Sequence, residues 1–374
     1  MMEYQENRYI WELDCWTDWQ FDLNELSPLM TAVHYQQGLL LGRMLDLGMI
    51  AREQTNLQFL TDSIVKSSEI EGEMLNIQSV RSSLAKRLGI DIGVLQPVER
   101  HVEGVVEMLL DAVNHYQPPL TQERLFGWHA ALFPTGYSGI SKINVAQFRD
   151  DHDGAMQVIS GSYGHTKVHF QAPPAERLPI EMKRFLDWVN QEQNMDPFLK
   201  VGIAHLWFLT LHPFEDGNGR IARAIADMLL AKADQCSQRF YSLSSQIQRQ
   251  RAEYYDILER TQKGDSNITA WLKWFLLVLN QAILAAHNTL DAVLMKNRCW
   301  QQWGQFSLNE RQRKVLNKLL DGFEGNLTNK KWAALTKVAR DTALRDLTDL
   351  VEKGILKRAE KGGRSVYYEL ILPE

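Results

Sequence analysis

The run His212-Pro213-Phe214-Glu215-Asp216-Gly217-Asn218-Gly219-Arg220-Ile221-Ala222-Arg223 packs the parts of a phosphate site into twelve residues. Apolar periodicity stops near Leu211 and restarts near Arg220, which predicts a helix, a loop and a second helix. Gly217, Asn218 and Gly219 tolerate positive φ, so this loop can turn successive backbone N–H groups toward one point. The following helix N-terminus adds unpaired N–H groups and the positive end of a dipole. Arg220 and Arg223, three apart, can clamp further phosphate oxygens from one helix face. Asp216 at the loop lip suits Mg²⁺ held beside a polyphosphate. His212 is placed as a general base near neutral pH, and Phe214, between polar residues, is expected to turn inward and anchor the loop. Together these parts suit attack of a hydroxyl on a nucleotide phosphate.

Each element alone reads as structure: a histidine before a Gly-rich turn, a Gly-Asn-Gly turn, an arginine pair facing solvent. Their co-occurrence favours chemistry. The segment HPFEDGNGRIAR resembles, without a mismatch, the Fic-family signature His-x-Phe-x-Asp/Glu-Gly-Asn-Gly-Arg-x-x-Arg. The resemblance spans roughly residues 121–277 and implies AMPylation, the transfer of AMP from ATP to Ser, Thr or Tyr hydroxyls of a protein. It implies His212 as base, Asp216 as Mg²⁺ ligand, and Gly217, Asn218 and Gly219 as the anion hole, with Asn218 orienting the α-phosphate. Arg220 and Arg223 would contact the β- and γ-phosphates, and pyrophosphate would leave.

Two more segments acquire roles from the resemblance. Ser67-Ser68-Glu69-Ile70-Glu71-Gly72 is similar to the Fic inhibitory motif, in which the glutamate, here Glu71, pairs with the second arginine, here Arg223, and Ser67 supplies the motif's hydroxyl. In some relatives the same glutamate activates water to remove AMP, so a de-AMPylating hydrolase stays open. His165, Thr166, Lys167, Val168, His169 and Phe170 would form the flap, an edge strand that pairs with the target's main chain.

These residues need a scaffold, and the periodicity predicts one that is mainly α. An N-terminal helical region (1–100) carries the inhibitory motif, with helices around Leu39–Leu47, over Thr55–Lys66 and from Ile77. A Fic-type helical core (101–293) follows, with helices over Val105–Val113, Gln122–Leu132, Leu178–Val189, Val201–Leu211, Arg220–Ala231, Ala252–Gln262 and Ile268–Val293. A short β-hairpin lies between Gly136 and Pro174, where Gly and β-branched residues gather. Trp11, Trp16 and Trp19 are expected to clamp an irregular arm onto the helical body.

Residues 294–306 read as a connection to a C-terminal winged helix (300–374). From Ser307 onward 14 Lys and Arg face 10 Asp and Glu, a surplus of four positive charges that leaves the rest at −9. Three helices are expected over Asn309–Leu320, Asn329–Leu335 and Ala339–Lys353. A two-stranded wing turning at Gly362-Gly363 should follow. The third helix mixes Arg340, Arg345 and Lys353 with Asp341, Asp346, Asp349 and Glu352, and its apolar stripe reads as Leu344, Leu347, Leu350 and Val351. The wing is basic, with Lys357, Arg358, Lys361 and Arg364. DNA binding through this domain and a protein-docking or dimer role both stay open.

The composition is that of a folded protein, 45% hydrophobic and 23% charged, and a net charge of −5 implies no general attraction to nucleic acid or membranes. Cys15, Cys236 and Cys299 show no disulfide or zinc spacing, and the N-terminus lacks a signal-peptide pattern, so a cytoplasmic protein is expected. The apolar stretch Trp271–Leu279 is too short and too polar to span a bilayer. The expected partners are ATP, Mg²⁺ and a protein target, the chain itself included, with a homodimer open and no membrane. The competing reading is a nucleotide-sensing transcription regulator or adaptor, and the intact His212 argues against it, since a sensor needs no base.

Overall fold

The computed structural model describes residues 9–14, 16–45, 47–93, 95–152, 154–160, 167–192, 194–320, 323, 325–359 and 366–372. The chain divides into two compact units, Met1–His287 and Asn288–Glu374. Among the described residues the structure is mostly helix, with small two-stranded sheets.

The first unit begins with α1 (Leu23–Leu45), α2 (Met49–Ile70), α3 (Ile77–Leu88), α4 (Arg100–Asn114) and α5 (Gln122–Leu132). Two small antiparallel pairs follow: β1 (Tyr137–Ser138) with β2 (Ser141–Lys142), and β3 (Gln157–Ser160) with β4 (Lys167–Gln171). Then come α6 (Leu178–Asn190), α7 (Pro197–Leu211), α8 (Asn218–Asp234), α9 (Leu243–Arg249), α10 (Arg251–Gln262) and, up to His287, the first part of α11 (Thr269–Trp303).

Helix α7 is the centre of this unit. Asp196 caps it by accepting from the Phe198 and Leu199 amides, and Pro197 sits in its first turn, where no donor is lost. Every residue from Phe198 to Leu211 except Lys200 is buried, so the helix is apolar all round, as a core helix must be. α8 packs back along it. The tryptophan arm binds as the sequence suggests. Trp16 and Trp19 meet Trp207 of α7 edge-on, and Trp11 Nε1 donates to the Gln171 carbonyl of β4 at 2.7 Å.

Three expectations need correction. α2 does not stop at Lys66. Ser67, Ser68 and Ile70 are buried on its inner face, so packing carries the helix through the serines to Ile70. Residues 294–303 are not a connection but continue α11, and Cys299 and Trp303 are buried in the core of the second unit. At 35 residues, α11 is long and apolar enough to cross a membrane by length and composition alone. Trp271, Leu272, Phe275, Leu276 and Leu279 are nonetheless fully buried within the protein, which is how a core helix behaves.

In the second unit, α12 (Glu310–Leu320), α13 (Asn329–Thr336) and α14 (Arg340–Glu352) precede an antiparallel pair, β5 (Leu356–Arg358) and β6 (Tyr368–Leu370). Trp332, Leu316, Leu347, Leu350 and Ile355 fill its core. The buried stripe of α14 uses Ala343 rather than Leu344, which is exposed. Asp346 points inward and accepts from Arg311, Asn309 and Trp332. The expected turn at Gly362-Gly363, with Lys361 and Arg364, lies outside the described residues.

Candidate active site

The loop between α7 and α8 is held by groups scattered along the chain. His212 closes α7 in the left-handed region at φ 47°, and Gly217 opens α8 at φ 82°. Phe214 is fully buried and stacks on the His129 ring at 4.3 Å between centroids. Asn218 fastens the same residue, accepting from the Phe214 amide at 3.0 Å and donating to its carbonyl at 2.7 Å. The Asn218 side chain therefore shapes the loop, and its polar atoms point at backbone. Arg149 is buried and donates to the carbonyls of His212 (2.8 Å) and Pro173 (2.6 Å), tying the loop to the segment after β4.

His212 Nδ1 lies 3.3 Å from the Leu209 carbonyl, which can only accept. That fixes the proton on Nδ1 and leaves the Nε2 lone pair free for a proton. Burial pushes the imidazole down to about 4, so it is neutral at pH 7. Asp216, at the lip, accepts from the Ser138 hydroxyl and from the Gly217 amide. The first-turn amides of α8 have no acceptor within the helix, so they form the anion-binding end that the sequence implies.

The end of α2 reaches into that anion-binding end. Glu71 Oε1 accepts from Arg223 Nη2 at 2.7 Å, while Ser67 takes Arg223 Nε on its hydroxyl (2.8 Å) and Nη2 on its carbonyl (2.9 Å). The glutamate also lies over the first turn of α8. A Cβ on Gly219 would stand 2.1 Å from Glu71 Oε1, so only glycine admits the carboxylate here. Two residues on, Glu73 holds Arg220 Nη1 at 2.7 Å, and Arg220 also stacks on Phe133. Both arginines expected to clamp phosphate are thus engaged by one short segment. Arg251 and Tyr255 of α10 fix that segment by donating to the Ile70 carbonyl.

The expected site residues are divided between two cavities. One, of about 660 Å³, is lined by His212, Gly219, Tyr254, Tyr255, Met156 and the β3 residues 157–160. The other, of about 650 Å³, is lined by Asp216, Arg220, Glu73 and Ser138. Glu71 lines both. Arg223 is sealed behind it, 2% exposed.

Of the expected flap, His165 and Thr166 lie outside the described residues. Lys167 and Val168 are exposed on β4, Phe170 is buried, and His169 pairs with Glu259 of α10. The strand whose consecutive residues line the cavity is β3.

Sequence reasoning missed Glu73, Arg149, His129 and Ser138. Glu73 had a signal, since it stands in the same acidic run as Glu71. Arg149 had none, because besides the neighbouring Asp151 the groups it ties together are backbone carbonyls far along the chain.

Residues 9–90 match a domain of unknown function, DUF4172, and residues 119–230 match the Fic/DOC family. The chain is 34% identical over 215 residues to the protein adenylyltransferase Fic of Culex quinquefasciatus. It is 33% identical over 208 residues to that of Drosophila grimshawi. Each alignment covers 54% of this chain and 37% or 38% of the relative, so the chain spans little more than a third of those proteins. A Fic family protein from Desulfovibrio desulfuricans shares the fold, with a TM-score of 0.54 at 19% identity over 92% of this chain and 96% of that one. A Fic-domain signalling protein from Bacteroides thetaiotaomicron gives 0.51 at 19% identity over 71% and 95%. The sequence signature, the helical architecture and these matches agree: the chain contains a Fic/DOC-family domain, residues 119–230.

Proposed function

We propose that this chain is a protein adenylyltransferase restrained by Glu71. The observation that carries the reading is the position of the Glu71 carboxylate, against Gly219 and on Arg223, between the cavity of His212 and the cavity of Asp216 and Arg220. A carboxylate there occupies the place a phosphate needs. Swinging it away frees Arg223 and joins the base to the other phosphate-binding groups.

In the released state the first turn of α8, Arg220 and Arg223 bind the triphosphate. The neutral His212 imidazole takes the proton of an incoming hydroxyl as its oxygen bonds to the α-phosphorus, and pyrophosphate departs with the electrons of the broken P–O bond. The negative nucleotide raises the affinity of His212 for that proton. A half-exposed carboxylate at the lip fits Mg²⁺, which accepts few protein ligands and keeps water and phosphate oxygens. Among the described residues no cluster of three or more ligating side chains exists, so Asp216 would be the protein's contribution. The ion would neutralise phosphate charge. The second unit is read as a winged-helix module for a protein or nucleic-acid partner.

The test is incubation with α-labelled ATP and Mg²⁺ in the Glu71→Gly background, with and without His212→Ala. Label transfer to an added protein should fall about 10²–10⁴-fold without the imidazole, with nucleotide binding retained. Transfer at an undiminished rate would remove His212 from the mechanism.

A further inference from the structure

A second constellation lies on the wall of the His212 cavity. The β3–β4 register pairs Val158 with Phe170 but Ile159 with Val168, so His169 is the extra residue of a bulge. Bulges re-aim side chains, and this one sets the imidazole between Ser160 of β3 and Glu259 of α10. His169 Nδ1 is 2.5 Å from Glu259 Oε2 of α10, and His169 Nε2 is 2.5 Å from Ser160 Oγ. Ser160, His169 and Glu259 all line the same cavity as His212.

The carboxylate at one end fixes the tautomer of a neutral imidazole in this chain of contacts. Lys263 donates to Glu259 at 2.7 Å, and Lys167 lies 3.6 Å from it. Burial raises the affinity of the Glu259 carboxyl for a proton, but hydrogen bonds from Lys263 and His169 outweigh it and hold the group down at about 2. As a carboxylate it only accepts, so His169 Nδ1 carries a proton, and in the neutral imidazole Nε2 then accepts from the Ser160 hydroxyl. A hydroxyl held by an imidazole that is itself oriented by a carboxylate is the arrangement of an activated serine nucleophile.

We propose that Ser160 is an AMP acceptor within this chain, activated by His169 and Glu259. The inference rests on the AMP-transfer reading, because it takes the α-phosphate of ATP as the electrophile in the cavity. Ser160 Oγ bonds to the α-phosphorus, and the bond from that phosphorus to the bridging oxygen of the β-phosphate breaks. Pyrophosphate leaves with the electron pair, and the hydroxyl proton passes to His169 Nε2, whose imidazolium faces Glu259. The product is an AMP ester on β3, at the wall of the cavity that a new ATP must enter.

The experiment uses the full chain, wild type and Glu71→Gly, with ATP and Mg²⁺, followed by peptide mass spectrometry. AMP should appear on the peptide containing Ser160 and be lost in Ser160→Ala. In His169→Asn, which keeps an N–H for Glu259 but has no base, it should fall about a hundredfold. A fluorophosphonate probe, which needs no ATP, should label Ser160 faster than the chain's other serines and depend on His169. AMP on other residues with Ser160 bare, or a Ser160 no more reactive to the probe than a surface serine, overturns the inference alone. AMP on neither this chain nor any added protein overturns the transfer reading and the acceptor assignment together.

Discussion

Helix α8 carries an arginine–carboxylate pair at each end, and the two differ in what surrounds them. At the C-terminal end Arg239 meets Asp234 at 2.6 Å, with side chains 1% and 2% exposed. Gln37 and Tyr241 also donate to Asp234, and Arg239 lies over the Tyr241 ring. At the N-terminal end Arg223 meets Glu71 at 2.7 Å, with the arginine 2% exposed but the glutamate 33% exposed. The bond lengths match. The difference is that Glu71 stands at the end of a helix with cavities on either side, whereas Asp234 is enclosed. An enclosed pair can only hold the fold. A pair with one partner at a cavity can exchange that partner for a ligand of the same charge.

The enclosed pair should give the largest effect when broken. Arg239→Ala leaves Asp234 buried without its cation and should cost about 3–5 kcal/mol of stability. Urea unfolding of that variant beside Glu71→Gly sharpens the contrast, since loss of the half-open carboxylate should shift the midpoint far less. Equal losses would mean that the N-terminal pair is as structural as the other.

Acid should separate the two units as well. In the first, burial lowers His129 and His212 to about 4 and His205 to about 3. Because the unfolded chain takes up those protons first, stability is full above about pH 6.5 and falls as the pH drops toward 4. Burial acts oppositely on Asp227, raised to about 6, and on Asp62, also raised, so part of the loss is offset. A net effect on the order of a few kcal/mol is expected. The second unit has no histidine. There Asp346 is lowered: desolvation raises it, but hydrogen bonds from Arg311 and Asn309 prevail. Its contribution is present above about pH 4 and lost only below that. Hydrogen exchange between pH 7 and 4.5 should show the first unit loosening first, and simultaneous loosening would contradict this assignment.

The smallest effect belongs to Ser67. Ser67→Ala removes the hydroxyl that accepts from Arg223 Nε but leaves the carbonyl and Glu71 in place. The restraint should weaken by roughly 1 kcal/mol, about a fivefold gain in transfer. A gain as large as that of Glu71→Gly would shift the restraint from the carboxylate to the serine.

The contrast between the ends of α8 also shows what a sequence discloses. The Fic signature and the helical periodicity placed α5 at Gln122–Leu132 as found, and marked Ser67, Glu71 and Arg223, which meet. Local signals failed where burial overrode them. Two serines and a glutamate read as a helix break, yet their inward face keeps α2 helical to Ile70. The division of the site was not legible either. Arg220 carries no mark that it binds Glu73, and Asn218 none that it grips Phe214. Such choices are made between segments distant in sequence, where a pattern within one segment is silent.

The central claim is that a carboxylate and a γ-phosphate compete for Arg223, and initial rates of AMP transfer test it most directly. The comparison needs wild type, Glu71→Gly, Arg223→Ala and the double variant, over a range of ATP and Mg²⁺. Glu71→Gly should be faster than wild type, since it frees a planar donor fork for the triphosphate. Arg223→Ala should be slow, and the double variant should behave as Arg223→Ala alone, because without the arginine there is nothing left to release. Equal rates for wild type and Glu71→Gly at every ATP and Mg²⁺ level would contradict the account and leave the end of α2 as an ordinary helix terminus.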